Sequence, residues 1–134
     1  MPSRTLHVAT VFLGTDAAGR DTGGNPLGVF LDGAGIPAPT RQAVAADLGF
    51  AETVFVTDPA AGRIRARVFV VEHGSVVEDE ATGSASLRLG ALLGRPVTIR
   101  QGTGSRIDVR PRPDGLAEIG GRCALLGTRE YRIG

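Results

Sequence analysis

The run Glu78-Asp79-Glu80-Ala81-Thr82-Gly83-Ser84 leads straight into Ala85-Ser86-Leu87-Arg88-Leu89-Gly90-Ala91-Leu92-Leu93, and no other passage constrains the fold as tightly. From Thr82 to Leu93 the pattern predicts a helix that is apolar almost all round, and such a helix belongs inside a core. The rest of the chain must therefore wrap it. Its N-terminus offers unpaired backbone N–H groups and the positive end of the helix dipole. That suits a carboxylate ligand, with an acid/base group already alongside. Asp79 or Thr82 acting as a simple cap is the commoner use of such residues. Capping accounts neither for Gly83-Ser84 in the first turn nor for a helix without a wet face.

The wrapping material reads as strands. Thr5 to Leu13 alternates, Gly14 to Gly24 is a glycine-rich loop, and Pro26 to Leu31 is a strand opened by a proline. Thr40 is expected to cap a helix running to Leu48, with Gly49 as its stop. Ala51 to Val56 is the next strand, and the stretch from Asp58 to Gly62 is a turn. Arg63 to Val71 places Ile64, Ala66, Val68 and Val70 on one side and Arg63, Arg65 and Arg67 on the other, the mark of a half-buried strand. Pro96–Arg100, Ile107–Arg110, Leu116–Ile119, Cys123–Leu126 and Tyr131–Ile133 are predicted as short strands, with Pro113-Asp114-Gly115 as a turn. Short strands at regular spacing suggest a curled or closed sheet. The expected fold is α+β: one domain over residues 1–134, a curled, mostly antiparallel sheet or barrel around one buried central helix.

Composition closes off several functions. The 134 residues suffice for one domain with a real core. All 15 basic residues are arginine, so neither a Schiff-base lysine nor a P-loop lysine exists. A net charge of +1 without clustering gives no nucleic-acid footprint. No apolar run matches a membrane span, and Met1-Pro2-Ser3-Arg4 carries no signal-peptide core, so no membrane association is expected. Cys123 is the only cysteine and points to a reducing compartment, the cytoplasm. With His7 and His73 as the only histidines, no metal site is expected.

Five segments, taken in order, resemble the PhzF-like isomerases of phenazine biosynthesis, members of the diaminopimelate-epimerase fold. They are Gly24-Asn25-Pro26-Leu27-Gly28-Val29-Phe30-Leu31; Phe50-Ala51-Glu52-Thr53-Val54-Phe55-Val56; Arg67-Val68-Phe69-Val70-Val71-Glu72-His73-Gly74 with the block from Glu78 to Ala85; Gln101-Gly102; and Glu118-Ile119-Gly120-Gly121-Arg122. The resemblance implies a fold of two similar lobes with the active site between them, here shortened to a single lobe. The family's Gly-His-Pro block has no counterpart, so its catalytic-site histidine has no match. Glu80 stands where the family has proline, and the loop after Gln101-Gly102 is shortened.

The resemblance implies Glu52 as the general acid/base, and Asp79 and Ser84 as the carboxylate and hydroxyl of the same pocket. Gly83, with Ser84, would grip a substrate carboxylate, with Thr82 opening the helix and Asn25 near the site. His73, a short loop before Glu78, is a further candidate for substrate contact, though a plain loop histidine is the commoner case. On residue type alone Glu52 reads as a solvent-facing strand-end carboxylate, and Asp79 as a cap. The implied chemistry is a cofactor-independent proton shift on a small carboxylic acid. An apolar strand around Glu52, and Glu78 and Glu80 flanking Asp79, would raise carboxylate pKa values, while the helix dipole would oppose the rise. One lobe makes no cleft, so a homodimer that places the patch opposite itself is expected. Three readings compete: a proton-shuffling isomerase or epimerase of secondary metabolism; a small-molecule binding or interaction protein that lost turnover; and an enzyme turning the same acid/base pair to cyclisation or elimination.

Overall fold

The computed structural model describes residues 3–60 and 62–134. In chain order the strands are β1 (His7–Val11), β2 (Gly14–Thr15), β3 (Asp21–Thr22) and β4 (Asn25–Phe30). A short 3₁₀ turn (Gly33–Gly35) and helix α1 (Ala38–Leu48) follow. Then come β5 (Glu52–Asp58), β6 (Arg63–Glu72), β7 (Ser75–Asp79), helix α2 (Gly83–Leu93), β8 (Val97–Gln101), β9 (Ser105–Pro111) and β10 (Ala117–Gly120). Among the described residues, eight of these strands form one sheet in the order β1-β4-β5-β6-β8-β9-β10, with β7 also paired to β6. β2 and β3 make a separate small hairpin inside the stretch expected to be loop. Among the described residues only the β4–β5 and β6–β8 pairs are parallel, so the α+β, mostly antiparallel reading holds.

Those two parallel pairs require crossovers, and each crossover carries a helix. Strand periodicity then sorts the core into two sides. Leu27, Val29, Val54, Val56, Ile64, Ala66, Val68, Val97, Ile99 and Val109 pack with Ala85 and Leu89 of α2. The intervening residues Phe30, Phe55 and Phe69 turn the other way and pack with Ile36 and Ala45 of the α1 region. There Phe55 stacks on Phe30 at 5.4 Å and meets Phe69 edge-on at 5.7 Å. Gly49 ends α1 in the left-handed conformation at φ 73°, as its position predicts. Thr40 does not cap α1. The helix begins at Ala38 after Pro37, and the Thr40 hydroxyl donates back to the Pro37 carbonyl at 2.8 Å.

The long strand β6 positions the functional end of the lobe. Along one edge it pairs with β5; its other edge is divided, Arg63–Ala66 pairing with β8 and Val68–Glu72 with β7. The acidic run is partly strand: Glu78 and Asp79 close β7, and Gln42 of α1 fixes that strand by donating to the Val76 carbonyl at 2.6 Å. The arginine face of β6 is not simply solvated. Arg67 forms a bidentate ion pair with Glu78, and Arg65 donates to the Gly102 carbonyl at 2.9 Å.

Two expectations need correcting. Helix α2 is not wholly enclosed: Ala85, Ser86, Leu89 and Gly90 are buried, but Leu87, Arg88, Leu92 and Leu93 are half-buried and Ala91 is exposed. The sheet is a half-barrel, so it covers one flank of the helix and leaves a seam over the other. Cys123–Leu126 and Tyr131–Ile133 are not strands either; the chain beyond Gly120 has no regular structure and no ladder partner. Alternation makes a segment competent to pair, but a strand exists only against a partner. The turn expected at 58–62 includes Ala61, which lies outside the described residues.

Candidate active site

Glu52 is the first residue of β5, level with Leu27 of β4 on one side and Val70 of β6 on the other. Its side chain takes the inward phase shared with Val54 and Val56 and is only 7% exposed. The expected solvent-facing alternative is thus excluded. One carboxylate oxygen accepts a short hydrogen bond from the Ser84 hydroxyl in the first turn of α2. The other, Oε2, is buried with no partner. Burial among apolar neighbours pushes this carboxyl above the ordinary glutamate range; the Ser84 hydroxyl pulls it back in part, and the charge of Asp79 adds to the rise.

Asp79 lies opposite Val68, on the same face of the sheet as Glu52. Its carboxylate accepts from the Thr82 hydroxyl at 2.6 Å. Thr82 sits in extended conformation at the N-cap position, yet neither it nor Asp79 caps the helix: α2 has no side-chain cap. The first-turn N–H groups of α2 are therefore left without a side-chain acceptor, beside the unpartnered oxygen of Glu52.

Gln101 holds this corner in shape and was not singled out from sequence. It is 1% exposed. Its Oε1 accepts from the Thr82 backbone N–H at 3.1 Å, and its Nε2 donates to the Asp79 carbonyl at 2.9 Å and the Thr82 hydroxyl at 2.8 Å. The available signal is phase: Val97, Ile99 and Gln101 all point inward along β8, and a polar side chain in that phase must find partners.

The three consecutive carboxylates separate into three roles. Glu78 faces Arg67 on the opposite side of the sheet, Asp79 faces Thr82, and Glu80 clamps the β8–β9 turn. Glu80 accepts from the Thr103 N–H at 2.9 Å and the Thr103 hydroxyl at 2.7 Å, and these bonds hold its carboxyl below the ordinary glutamate range. Glu80 thus fixes the β8–β9 turn.

The remaining candidates fall at the rim or away from it. Gly83 opens α2 beside Ser84, as expected. Asn25 begins β4 two residues before Leu27, so it shares the inward face but is exposed at the edge. His73, named as a candidate for substrate contact, lies away from Glu52, Asp79 and Ser84. It occupies the tight turn between β6 and β7, at φ 50° followed by Gly74 at φ 79°, the left-handed pair a two-residue hairpin requires. The length of β7 separates it from Asp79, about 13 Å of strand at roughly 3.3 Å per residue. Cys123 is exposed, and the described residues include no grouping of acids, histidines and cysteines able to hold a metal. No described helix is long and apolar enough to cross a membrane.

No family model matches the chain. Solved structures do. A PhzF-family phenazine biosynthesis protein from Bacillus anthracis is similar at 28% identity and TM-score 0.55, over 72% of this chain and 34% of that one. A protein described as a predicted epimerase, from Pseudomonas aeruginosa, matches at 23% identity and TM-score 0.67, over 87% and 42%. A phenazine biosynthesis PhzC/PhzF protein from Clostridium difficile matches at 23% and 0.55, over 67% and 35%. The chain spans less than half the length of each of these proteins.

Proposed function

We propose, from the premise that this chain carries one lobe of the PhzF-like fold, that it is a cofactor-independent isomerase or epimerase-type enzyme. It moves a proton on a small carboxylate-bearing substrate, in secondary metabolism, at a site completed by a second copy. The observation that carries the reading is the Glu52 carboxylate: 7% exposed, held at one oxygen by Ser84, unpartnered at the other. A buried acceptor left open in this way has a use when substrate supplies the missing proton.

The chemistry follows from the positions. First-turn N–H groups of α2 hold the substrate carboxylate and take up negative charge developing next to it. Glu52, its basicity raised by burial, removes a proton from the adjacent carbon. The electron pair shifts along the substrate, and the protonated Glu52, or Asp79 from its place on the same face, returns a proton at another position. A single lobe exposes this corner on one side. A two-fold dimer sets two such corners face to face and excludes water between them. The likeness to the PhzF-family phenazine biosynthesis protein at 28% identity supports the reaction class.

The test is solvent exchange. In deuterated water the protein should wash a carbon-bound proton out of at least one member of a panel of small amino and aromatic carboxylates. Glu52→Gln should slow that exchange by about 10²–10⁴-fold while ligand-detected NMR still shows binding. Full exchange in both Glu52→Gln and Asp79→Asn overturns the assignment.

A further inference from the structure

Among the described residues the half-barrel leaves two unfinished edges: β1 is paired only with β4, and β10 only with β9. Between their ends lies a groove of about 330 Å³, walled by Phe12, Leu13 and Leu116 and floored by Leu87, Arg88 and Ala91 of α2. Phe12, Leu13 and Leu116 are half or more exposed, and Phe12 holds a left-handed backbone at φ 62°, a conformation an aromatic residue rarely adopts. Arg88 lies in the floor with its Nε buried and unpartnered. This surface is apolar, strained at its lip and bounded by open strand edges, and open edges of this kind pair with further strands unless they are blocked.

The chain carries matching material. After Gly120 it runs as an unstructured tail in which Leu125, Leu126, Tyr131 and Ile133 are between 85% and 97% exposed. Cys123–Leu126 and Tyr131–Ile133 have the composition of strands but no partner. We propose that the tail of one chain adds as a strand to the open edge of a second copy, and that its apolar side chains fill the second copy's seam. Reciprocal exchange of tails makes a closed two-fold dimer. A second copy is favoured over the chain's own tail, because the tail leaves β10 without touching its own seam. The inference rests on the self-association in the proposed function and not on its proton chemistry.

Cys123, exposed and unpaired at the root of the tail, supplies the probe. A chain with only its native Cys123 is mixed with a Cys123→Ser/Leu13→Cys chain, and a short bis-maleimide is added. A cross-linked heterodimer joining position 123 of one chain to position 13 of the other is the expected result. In Leu13→Cys alone, where both thiols share one chain, a cross-linked monomer would show that the tail closes its own seam and would overturn the proposal. Light scattering should show Leu126→Asp weakening the dimer at least tenfold without loss of fold, since that side chain touches nothing within its own chain. An unchanged dimer, or no cross-link in either format, also overturns it. Deuterium exchange in the same samples keeps the two ideas apart: exchange without the cross-link fails the tail alone, and the cross-link without exchange fails the chemistry alone.

Discussion

Ser84, in the first turn of α2, donates its hydroxyl to the buried carboxylate of Glu52 across 32 residues of sequence, and this bond joins the helix start to the inner face of the sheet. Replacing Ser84 by alanine leaves both Glu52 oxygens buried without a donor. The expected cost is about 1.5–3 kcal/mol of stability, the range for a hydrogen bond to a charged group. Because the hydroxyl opposes the rise in the Glu52 pKa, Ser84→Ala should also move the carboxyl titration further upward. Urea melts and a carboxyl NMR titration read the two effects separately.

Burial of Glu52 makes stability depend on pH with a definite sign. Its pKa is raised on folding, so the folded state binds the proton more tightly than the unfolded chain does. The contribution is most favourable below the ordinary glutamate value. It is lost as pH climbs through the raised value, above which a charged carboxylate must stay buried. Glu52→Gln removes this titration. The variant should match the wild type in stability at acid pH and exceed it at neutral pH, so thermal melts across that range should diverge as pH rises.

Gln101 binds both ends of the Asp79–Thr82 corner, so Gln101→Leu should act as a positioning defect. It keeps side-chain bulk but strands the Thr82 N–H and the Asp79 carbonyl, at a cost of at least about 2 kcal/mol. Proton exchange should fall with it. Substrate affinity should weaken as well, because the start of α2 is no longer held; a calorimetric titration reports that loss.

Gly90 lets α2 lie directly on β9. A methyl group there would overlap the Cγ1 of Val109. Gly90→Ala should destabilise the lobe by about 1–3 kcal/mol through overpacking, despite alanine's better helix propensity. Gly90→Ala with Val109→Ala should recover part of the loss in chemical denaturation.

Local rules carried much of this structure. Inward phase along β5, β6 and β8 follows directly from alternation, and Gly49 and Gly94 end their helices in the left-handed conformation. Non-local partners were not legible. That Glu78 and Asp79 close a strand was not visible, because nothing local shows that β6 is long enough to hold β7 and β8 on one edge. Cys123–Leu126 read as strand because alternation is local and pairing is not. His73 lay near Glu78 in sequence and away from Asp79 in space because β7 runs straight from the turn that holds His73 to the end that holds Asp79. At Glu52, residue type pointed to solvent, and only the resemblance pointed inward. Its pairing with Ser84 depends on a helix that starts 31 positions later.

The most direct test is the protonation of Glu52 itself, read by carbon-detected NMR of selectively labelled glutamate carboxyls in the intact protein. Glu52 should titrate above the ordinary glutamate range, while Glu80, clamped by Thr103, titrates below it. A Glu52 midpoint at or below the ordinary glutamate value would mean the carboxylate is not held as a raised base, contradicting the account at its centre.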